Sequence, residues 1–105
     1  MDYFASSNKL TKELSNPQLL AKVYGKDKAK RIMDRLHEFE VVERLSDIPT
    51  VPPPRCHRLK GKSLFAVDVS RNYRLVFEGY DENDNLTMSR SKVVTIQIVG
   101  IVDYH

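Results

Sequence analysis

Apolar residues along the chain follow two different periods, one in each half of the sequence. In residues 8–45 they recur every three or four positions, which is the spacing of one face of an α-helix. From residue 63 onward they alternate with polar residues, which is the spacing of a β-strand with one buried face. The pattern predicts an α+β fold in which an antiparallel sheet of about four strands packs on an N-terminal helical hairpin.

The helical half divides at residues that start or stop helices. Ser6-Ser7 offers an N-cap for a first helix, and Asn16-Pro17 offers an N-cap and an initial proline for a second. Gly25 ends the second helix, and Asp27 is predicted to cap the third and longest one. The apolar stripe of that helix comprises Ala29, Ile32, Met33, Leu36, Phe39, Val42 or Glu43, and Leu45. The charged residues expected to be solvated are Lys28, Arg31, Arg35 and Glu38.

Residues 46–54 connect the helical half to the strands. Their four prolines lack an amide donor and push the preceding residues into extended geometry, so no helix continues here. We predict a stiff, polyproline-like strut that holds the basic residues 55–62 in a fixed position.

The second half begins with a predicted β-hairpin of residues 64–69 and 73–78. A three-residue loop, with Asn72 in the left-handed conformation, sets the register. The side chains buried by this register are Phe65, Val67, Val69, Tyr73, Leu75 and Phe77. Asp68 and Arg74 then share the opposite face, whereas a two-residue turn would bury Arg74 among apolar residues.

The remaining segments complete the predicted sheet. Residues 79–92 are polar and acidic and are expected to form an exposed, mobile loop. Residues 93–102 form the strongest predicted strand, because their even positions are apolar throughout. If the alternation persists, Asp103 and His105 lie on the face away from the helices, together with Arg74. Residues 2–5 are suited to an edge strand.

Composition and charge narrow the class of protein. The 105 residues suit one domain, residues 1–105. The single cysteine excludes an internal disulfide, and no Cys/His spacing resembles a zinc site. We see no signal peptide or membrane-spanning run, so a cytoplasmic protein without a membrane partner is expected. Residues 1–62 carry 13 Lys+Arg against 8 Asp+Glu, and residues 63–105 carry 4 against 6. This asymmetry suits docking onto nucleic acid, although lysine-rich helices alone would also produce it.

The basic segment 55–62 contains two arginines, two lysines and His57. A histidine exchanges protons near neutral pH, and adjacent cations bind a polyanion. Together with Arg74 and Asp103-Tyr104-His105, this set matches metal-free RNA cleavage. In that reaction one group removes the ribose 2′-hydroxyl proton, a second protonates the departing 5′-oxygen, and cations stabilise the phosphorane. No cofactor is expected.

Each of these residues also has a structural interpretation. Taken alone, the basic segment is more typical of a solvated loop with an incidental histidine. Arg74 and Asp68 would form an ordinary cross-strand ion pair, and Tyr104 would be a packing residue. Cys56 and His37 are interpreted as structural.

Several motifs resemble the HigB-like killer proteins, which are plasmid-maintenance toxins of the RelE/ParE superfamily. The resemblance extends over nearly the whole chain. The motifs are Phe4-Ala5-Ser6, Tyr24-Gly25, Pro53-Pro54-Arg55-Cys56-His57-Arg58-Leu59-Lys60-Gly61, Phe65-Ala66-Val67-Asp68, Tyr73-Arg74-Leu75-Val76-Phe77 and Asp103-Tyr104-His105.

The resemblance implies a RelE-like (microbial RNase-like) fold and the toxin of a type II toxin–antitoxin system. Such a toxin is a ribosome-dependent mRNA endonuclease, or mRNA interferase, that cuts mRNA in the ribosomal A site by general acid–base attack of the 2′-hydroxyl. Its implied partners are the ribosome, mRNA and a HigA-like helix-turn-helix antitoxin, and the free toxin is expected to be monomeric. The implied catalytic group is His57, Asp103, Tyr104 and His105. The implied phosphate-binding residues are Lys60 and Arg74, flanked by Arg55, Arg58 and Lys62.

Two other functions fit the same fold. One is a ParE-like, non-nucleolytic toxin that inhibits gyrase, against which the two histidines count. The other is a binding module with a vestigial site. The long acidic segment 79–92 is a departure that bears on ribosome approach or on antitoxin binding.

Overall fold

The structure is a computed structural model that describes residues 1–103. Tyr104 and His105 lie outside the described residues. The described chain contains three α-helices: α1 (Asn8–Ser15), α2 (Pro17–Tyr24) and α3 (Lys26–Val41). It also contains a 3₁₀ helix (Leu45–Asp47) and five strands: β1 (Asp2–Ala5), β2 (His57–Arg58), β3 (Phe65–Asp68), β4 (Tyr73–Tyr80) and β5 (Thr95–Asp103). The predicted α+β class is confirmed.

The strands form one mixed sheet in the order β1-β5-β4-β3-β2. The predicted edge strand is β1, but it pairs parallel to β5, so the expectation of a purely antiparallel sheet is wrong. The helices carry the chain from β1 across the sheet before the antiparallel strands begin, which is the kind of connection that a parallel pair requires. The two-residue β2 was not predicted, because it is too short to show a period.

The helix boundaries follow the capping residues, with one exception. Ser7 caps α1, and the side chain of Asn16 accepts hydrogen bonds from two amides in the first turn of α2 at 3.1 and 3.2 Å. Gly25, with a φ of 89°, ends α2 and is also the N-cap of α3. The prediction that Asp27 caps α3 is therefore wrong. Asp27 lies in the first turn of α3, where its charge favours the helix N-terminus.

The hydrophobic core lies between the helices and the inner face of the sheet, which is the face toward α3. The ring of Phe77 contacts Phe39 of α3 edge-on, with centroids 5.3 Å apart, and stacks on Phe65 at 5.8 Å. The predicted hairpin register is confirmed, since Asp68 pairs with Arg74 and residues 70–72 form the loop. Asn72 does not have a positive φ, so that part of the prediction is wrong.

Arg35 is buried, contrary to the prediction that it is solvated. Only 6% of the residue is exposed, and its Nε lies 3.2 Å from Oε1 of Glu38, one turn further along α3. The side chain lines a cleft between α3 and the β3–β4 loop, which covers it. The helical period placed Arg35 beside the apolar stripe, but it could not show that this flank is covered by another element.

The proline segment folds into a compact turn, so the predicted extended strut is wrong. Residues 52–54 form the turn, and the amide of Arg55 donates to the carbonyl of Val51 at 3.1 Å. The amide of Cys56 donates to the carbonyl of Pro49 at 3.0 Å. These two hydrogen bonds close the segment on itself.

Residues 79–92 are less exposed than predicted. β4 continues to Tyr80, and residues 87–90 are partly buried. The amides of Leu45 and Ser46 donate to the carbonyls of Val93 and Arg90, both at 3.1 Å. The 3₁₀ helix therefore anchors the second half of this segment. No helix within residues 1–103 is long and apolar enough to cross a membrane.

A hydrogen bond between Tyr24 and Glu13 joins α2 to α1. The Tyr24 hydroxyl donates at 2.9 Å to the carboxylate of Glu13, which is only 4% exposed. Burial, together with this hydrogen bond, raises the pKa of Tyr24 to about 12 from an ordinary value of 10.0. The folded state holds the proton more tightly than the unfolded state, so this contribution to stability is present below pH 10 and is lost as the pH rises toward 12.

The variant Tyr24→Phe should be less stable by about 1–3 kcal/mol at neutral pH, because the buried Glu13 loses its donor. The stability of Tyr24→Phe should also fall less than that of wild type as the pH rises from 10 toward 12, because phenylalanine has no hydroxyl proton to lose. Urea denaturation of both proteins at neutral and alkaline pH measures these differences. Tyr3→Phe is the control at neutral pH, because Tyr3 donates to the exposed Glu40. Equal stability of Tyr24→Phe and wild type at neutral pH would contradict the assignment.

Candidate functional site

His57 lies on the outer face of the sheet, which is the face away from the helices. It is the first residue of β2 and pairs with Ala66 of β3, which in turn pairs with Val76 of β4. Ala66 and Val76 are 0% and 4% exposed, yet they do not belong to the core cluster beneath the helices. His57 therefore stands at the edge of a tightly packed outer surface, and it is itself partly buried.

The orientation of the His57 ring is set by a backbone carbonyl. The Nδ1 atom lies 2.6 Å from the carbonyl oxygen of Arg55. A carbonyl can only accept a hydrogen bond, so Nδ1 must carry the hydrogen. In the neutral ring this places the free electron pair on Nε2. His57 is thereby prepared to accept or return a proton at one defined atom.

Arg55 is held in place by its backbone and its side chain. It has a φ of 45°, in the left-handed region that costs a non-glycine residue about 1–2 kcal/mol. Its guanidinium donates two hydrogen bonds to Asp68, from Nε at 2.6 Å and from Nη2 at 2.9 Å. The Asp68 amide also donates to the carbonyl of Pro54 at 2.7 Å. This Arg55–Asp68 clamp fixes the carbonyl that orients His57.

Arg74 lies on the outer face, as the alternation predicted, and His57 lies on the same face. Arg74 pairs with Asp68 on one side and with Val102 on the other, and this row lies two residues along β3 from the row of His57 and Ala66. Its Nε is inaccessible to solvent. The structure thus brings a cation and an imidazole to the same face of the sheet.

A carboxylate on this face was not recognised as a candidate from the sequence. Glu78 follows Arg74 by four residues in β4, so both side chains project from the outer face, with Val76 between them. The hydroxyl of Tyr80 donates to Glu78 at 3.1 Å, and burial, followed by this hydrogen bond, raises the pKa of Tyr80. The alternation that identified Arg74 contained this signal as well.

Asp103 lies on the inner face, so the prediction that it accompanies Arg74 is wrong. Phe77 pairs with Ile98 but Val76 pairs with Gly100, which leaves Val99 as an additional residue in β5. Such a bulge reverses the side-chain alternation beyond it. Asp103 is consequently opposite Tyr73, whose ring faces α3 and has the Lys28 ammonium 3.9 Å from its centroid. The two other members of the predicted C-terminal group, Tyr104 and His105, lie outside the described residues.

The other predicted basic residues occupy different positions. Lys60 and Lys62 are exposed in the turn that follows β2, where Gly61 has a φ of 75°. Arg58 pairs with Phe65, so it alternates away from His57, and its Nη2 donates to the carbonyl of Met88 at 2.6 Å. Arg58 therefore ties β2 to the 79–92 segment. Arg55 forms the clamp described above.

Two residues interpreted as structural are placed accordingly. Cys56 is 2% exposed, and burial raises the pKa of its thiol to about 11, although nearby Arg90 lowers it. A buried thiol that holds its proton is a poor nucleophile. His37 lies on the exposed side of α3, with Nδ1 3.8 Å from Glu40. Among residues 1–103, no group of three or more His, Cys, Asp or Glu side chains is arranged to hold a metal ion.

Comparison with known proteins returned no matching family model, no matching curated protein and no matching solved structure. The functional argument therefore rests on the chain's own residues. The outer face carries a histidine of fixed tautomer and, two strands away, an arginine, and exposed lysines lie in the turn after β2. This arrangement can transfer a proton and bind an anion.

The clamp can be tested with Asp68→Asn. The amide cannot accept both Arg55 hydrogen bonds as a carboxylate does, and the pair is partly exposed, so the loss of stability should be about 1 kcal/mol. In ¹H–¹⁵N long-range spectra at high pH, His57 should change from a pure Nδ1–H tautomer to a mixture. Asp2→Asn, an exposed position on β1, is the control and should change neither quantity. An unaltered His57 spectrum in Asp68→Asn would show that the clamp does not orient the ring.

Proposed function

We propose that this protein is an endoribonuclease that cleaves RNA through the 2′-hydroxyl, with His57 transferring protons at Nε2. The observation that carries the proposal is the 2.6 Å contact between His57 Nδ1 and the Arg55 carbonyl. It leaves one ring nitrogen available for the substrate, on the same face as Arg74. General acid–base catalysis requires a group whose proton-accepting atom is held in place.

Different residues of the chain have different roles in this reaction. Neutral His57 accepts a proton at Nε2, and the protonated ring donates one from the same atom. Arg74 provides a fixed positive charge for the phosphate oxygens as negative charge develops on them, and Lys60 adds a second positive charge from the exposed turn. Glu78 offers a second proton-accepting group, a carboxylate, on the outer face. The complementary proton-transfer group is expected at Tyr104 or His105, as the family resemblance implies.

The biological role we propose is that of a HigB-like toxin of the RelE/ParE superfamily. The motif around His57, the Arg74 motif and the order of helices and strands support it. Such a toxin would cut mRNA in the ribosomal A site and would be inhibited by a HigA-like helix-turn-helix antitoxin. A cytoplasmic location follows from this role. The runner-up is a ParE-like toxin that inhibits gyrase.

The variant His57→Asn tests the proton-transfer role. Asparagine can still donate a hydrogen bond to the Arg55 carbonyl but has no counterpart of Nε2, so cleavage should fall by about 10²–10⁴-fold while the fold is retained. Cleavage is measured by primer extension on an mRNA translated in a reconstituted system, with the same mRNA lacking ribosomes in parallel. His37→Asn, on the exposed side of α3, should cleave like wild type.

The outcomes of this assay separate the two candidate toxins. Ribosome-dependent cuts that require His57 would support the interferase. Intact mRNA together with arrested growth and broken DNA in cells would favour the gyrase inhibitor and reject the nuclease. Cleavage of equal rate in His57→Asn and wild type would reject the role of His57.

The variants Arg74→Ala and Lys60→Ala test electrostatic stabilisation. Each should lower the cleavage rate by an amount equivalent to roughly 2–4 kcal/mol, because each removes a cation from the developing charge. Arg74→Lys keeps the charge but loses the planar fork, and it should recover only part of the activity. Lys22→Ala, an exposed residue of α2, is the matched control. Rates within a few-fold of wild type would identify Arg74 and Lys60 as ordinary surface charges.

A further inference from the structure

The structure has a second cation-rich site, at the end of the sheet rather than on the outer face that carries His57. It is an open cleft of about 460 Å³ between α3 and the β3–β4 loop. We call it the arginine cleft. Its lining residues are Arg31, Asp34 and Arg35 of α3, Pro53, and Asp68, Val69, Ser70 and Arg71.

Arg35 is the buried member of the arginine cleft. Its Nε is inaccessible to solvent and lies near Glu38, as described above. Its side chain donates no hydrogen bond within residues 1–103, and its one ion-pair partner there is Glu38. A guanidinium that is 6% exposed normally has acceptors for its donors, since leaving them unmet costs free energy. The surface that Arg35 retains is in the cleft, which suits an external anion.

Two exposed arginines complete the cationic wall. Arg31 precedes Arg35 by one turn of α3, and Arg71 projects from the β3–β4 loop. Neither side chain forms a hydrogen bond or ion pair with the described residues. Asp68 is already bound by Arg55, and Glu38 offsets Arg35. Three arginines therefore face the cleft. The only lining carboxylate that is not in an ion pair with another described residue is that of Asp34.

The donor set matches a phosphodiester of RNA. Guanidinium groups recognise phosphate through paired hydrogen bonds, and the Ser70 hydroxyl adds a further donor. Asp34 can only accept hydrogen bonds when ionised, so it disfavours a second anion but suits a ribose hydroxyl beside the phosphate. An acidic peptide would bring carboxylates toward Asp34 and offer it no such donor.

We propose that the arginine cleft binds a phosphate of the RNA strand whose cleavage we assign to the outer face. This inference rests on the proposed function. Asp68 connects the two places, since it lines the cleft and also clamps Arg55, whose carbonyl orients His57. Asp68 lies two residues from Ala66, the strand partner of His57, which corresponds to about 7 Å along β3. An RNA strand can therefore contact both places.

Binding is measured in the His57→Asn background, so that the result does not depend on cleavage. The probe is a fluorescently labelled RNA octamer, with a DNA octamer of the same sequence and an octaglutamate peptide in parallel. Arg31→Gln and Arg71→Gln should each weaken RNA binding about tenfold. Each should also make the plot of log binding constant against log salt concentration less steep, by about one unit of slope. Lys30→Gln removes the same charge from an exposed neighbour outside the cleft lining, and it should bind like the parent.

Arg35→Gln risks misfolding because Arg35 is buried, so the two exposed arginines carry the test. Binding of RNA by Arg31→Gln and Arg71→Gln that equals Lys30→Gln would overturn the proposal. Displacement of bound RNA from the cleft by octaglutamate with higher affinity would overturn it in favour of an acidic protein partner. If the wild-type protein binds RNA through the arginine cleft but never cleaves it, the proposed nuclease is rejected. The RNA-binding role of the cleft would then still stand.

Discussion

The ion pair between Arg55 and Asp68 is the interaction on which the candidate site depends. It joins the turn after the prolines to β3 and holds Arg55 in a left-handed conformation that costs about 1–2 kcal/mol. The pair is partly exposed, so solvent screening limits its contribution to about 1 kcal/mol. The hydrogen bonds from Arg55 to Val51 and from Asp68 to Pro54 supply a similar amount each. Together they offset the strained backbone and direct one carbonyl at His57.

The sheet shows why some of the fold could be predicted and some could not. The β3–β4 hairpin was predictable because a shift of one residue would have buried Arg74, so only one register was compatible with the sequence. The side-chain alternation at the end of β5 was not predictable. Residues 99–102 are Val, Gly, Ile and Val, so either alternation is apolar on both faces and the bulge at Val99 leaves no mark in the pattern. The parallel pairing of β1 depends on long-range contacts that no local period records.

The candidate site was likewise predictable only in part. Arg74 could be placed on the outer face because the alternation of β4 appears in the sequence, whereas His57 was a candidate only through its chemistry and its basic neighbours. The clamp was missed because Arg55 was considered only as a surface cation, and its left-handed φ has no signal outside glycine, asparagine and aspartate. The burial of Arg35 was missed for a related reason. A helical period identifies the face of one helix but not the loop that will later cover its flank.

Asp68 also determines how the two cationic regions can coexist. Five arginines lie near Asp68: three in the arginine cleft, Arg55 in the turn and Arg74 opposite it in β4. Like charges at this density would repel one another. A carboxylate that binds Arg55 through both oxygens neutralises the arginine that must stay fixed. It has little remaining capacity for Arg31 or Arg71, which therefore keep their charge available to an anion. One side chain thus serves geometry on the outer face and charge distribution in the cleft, and a neutral residue at this position would compromise both.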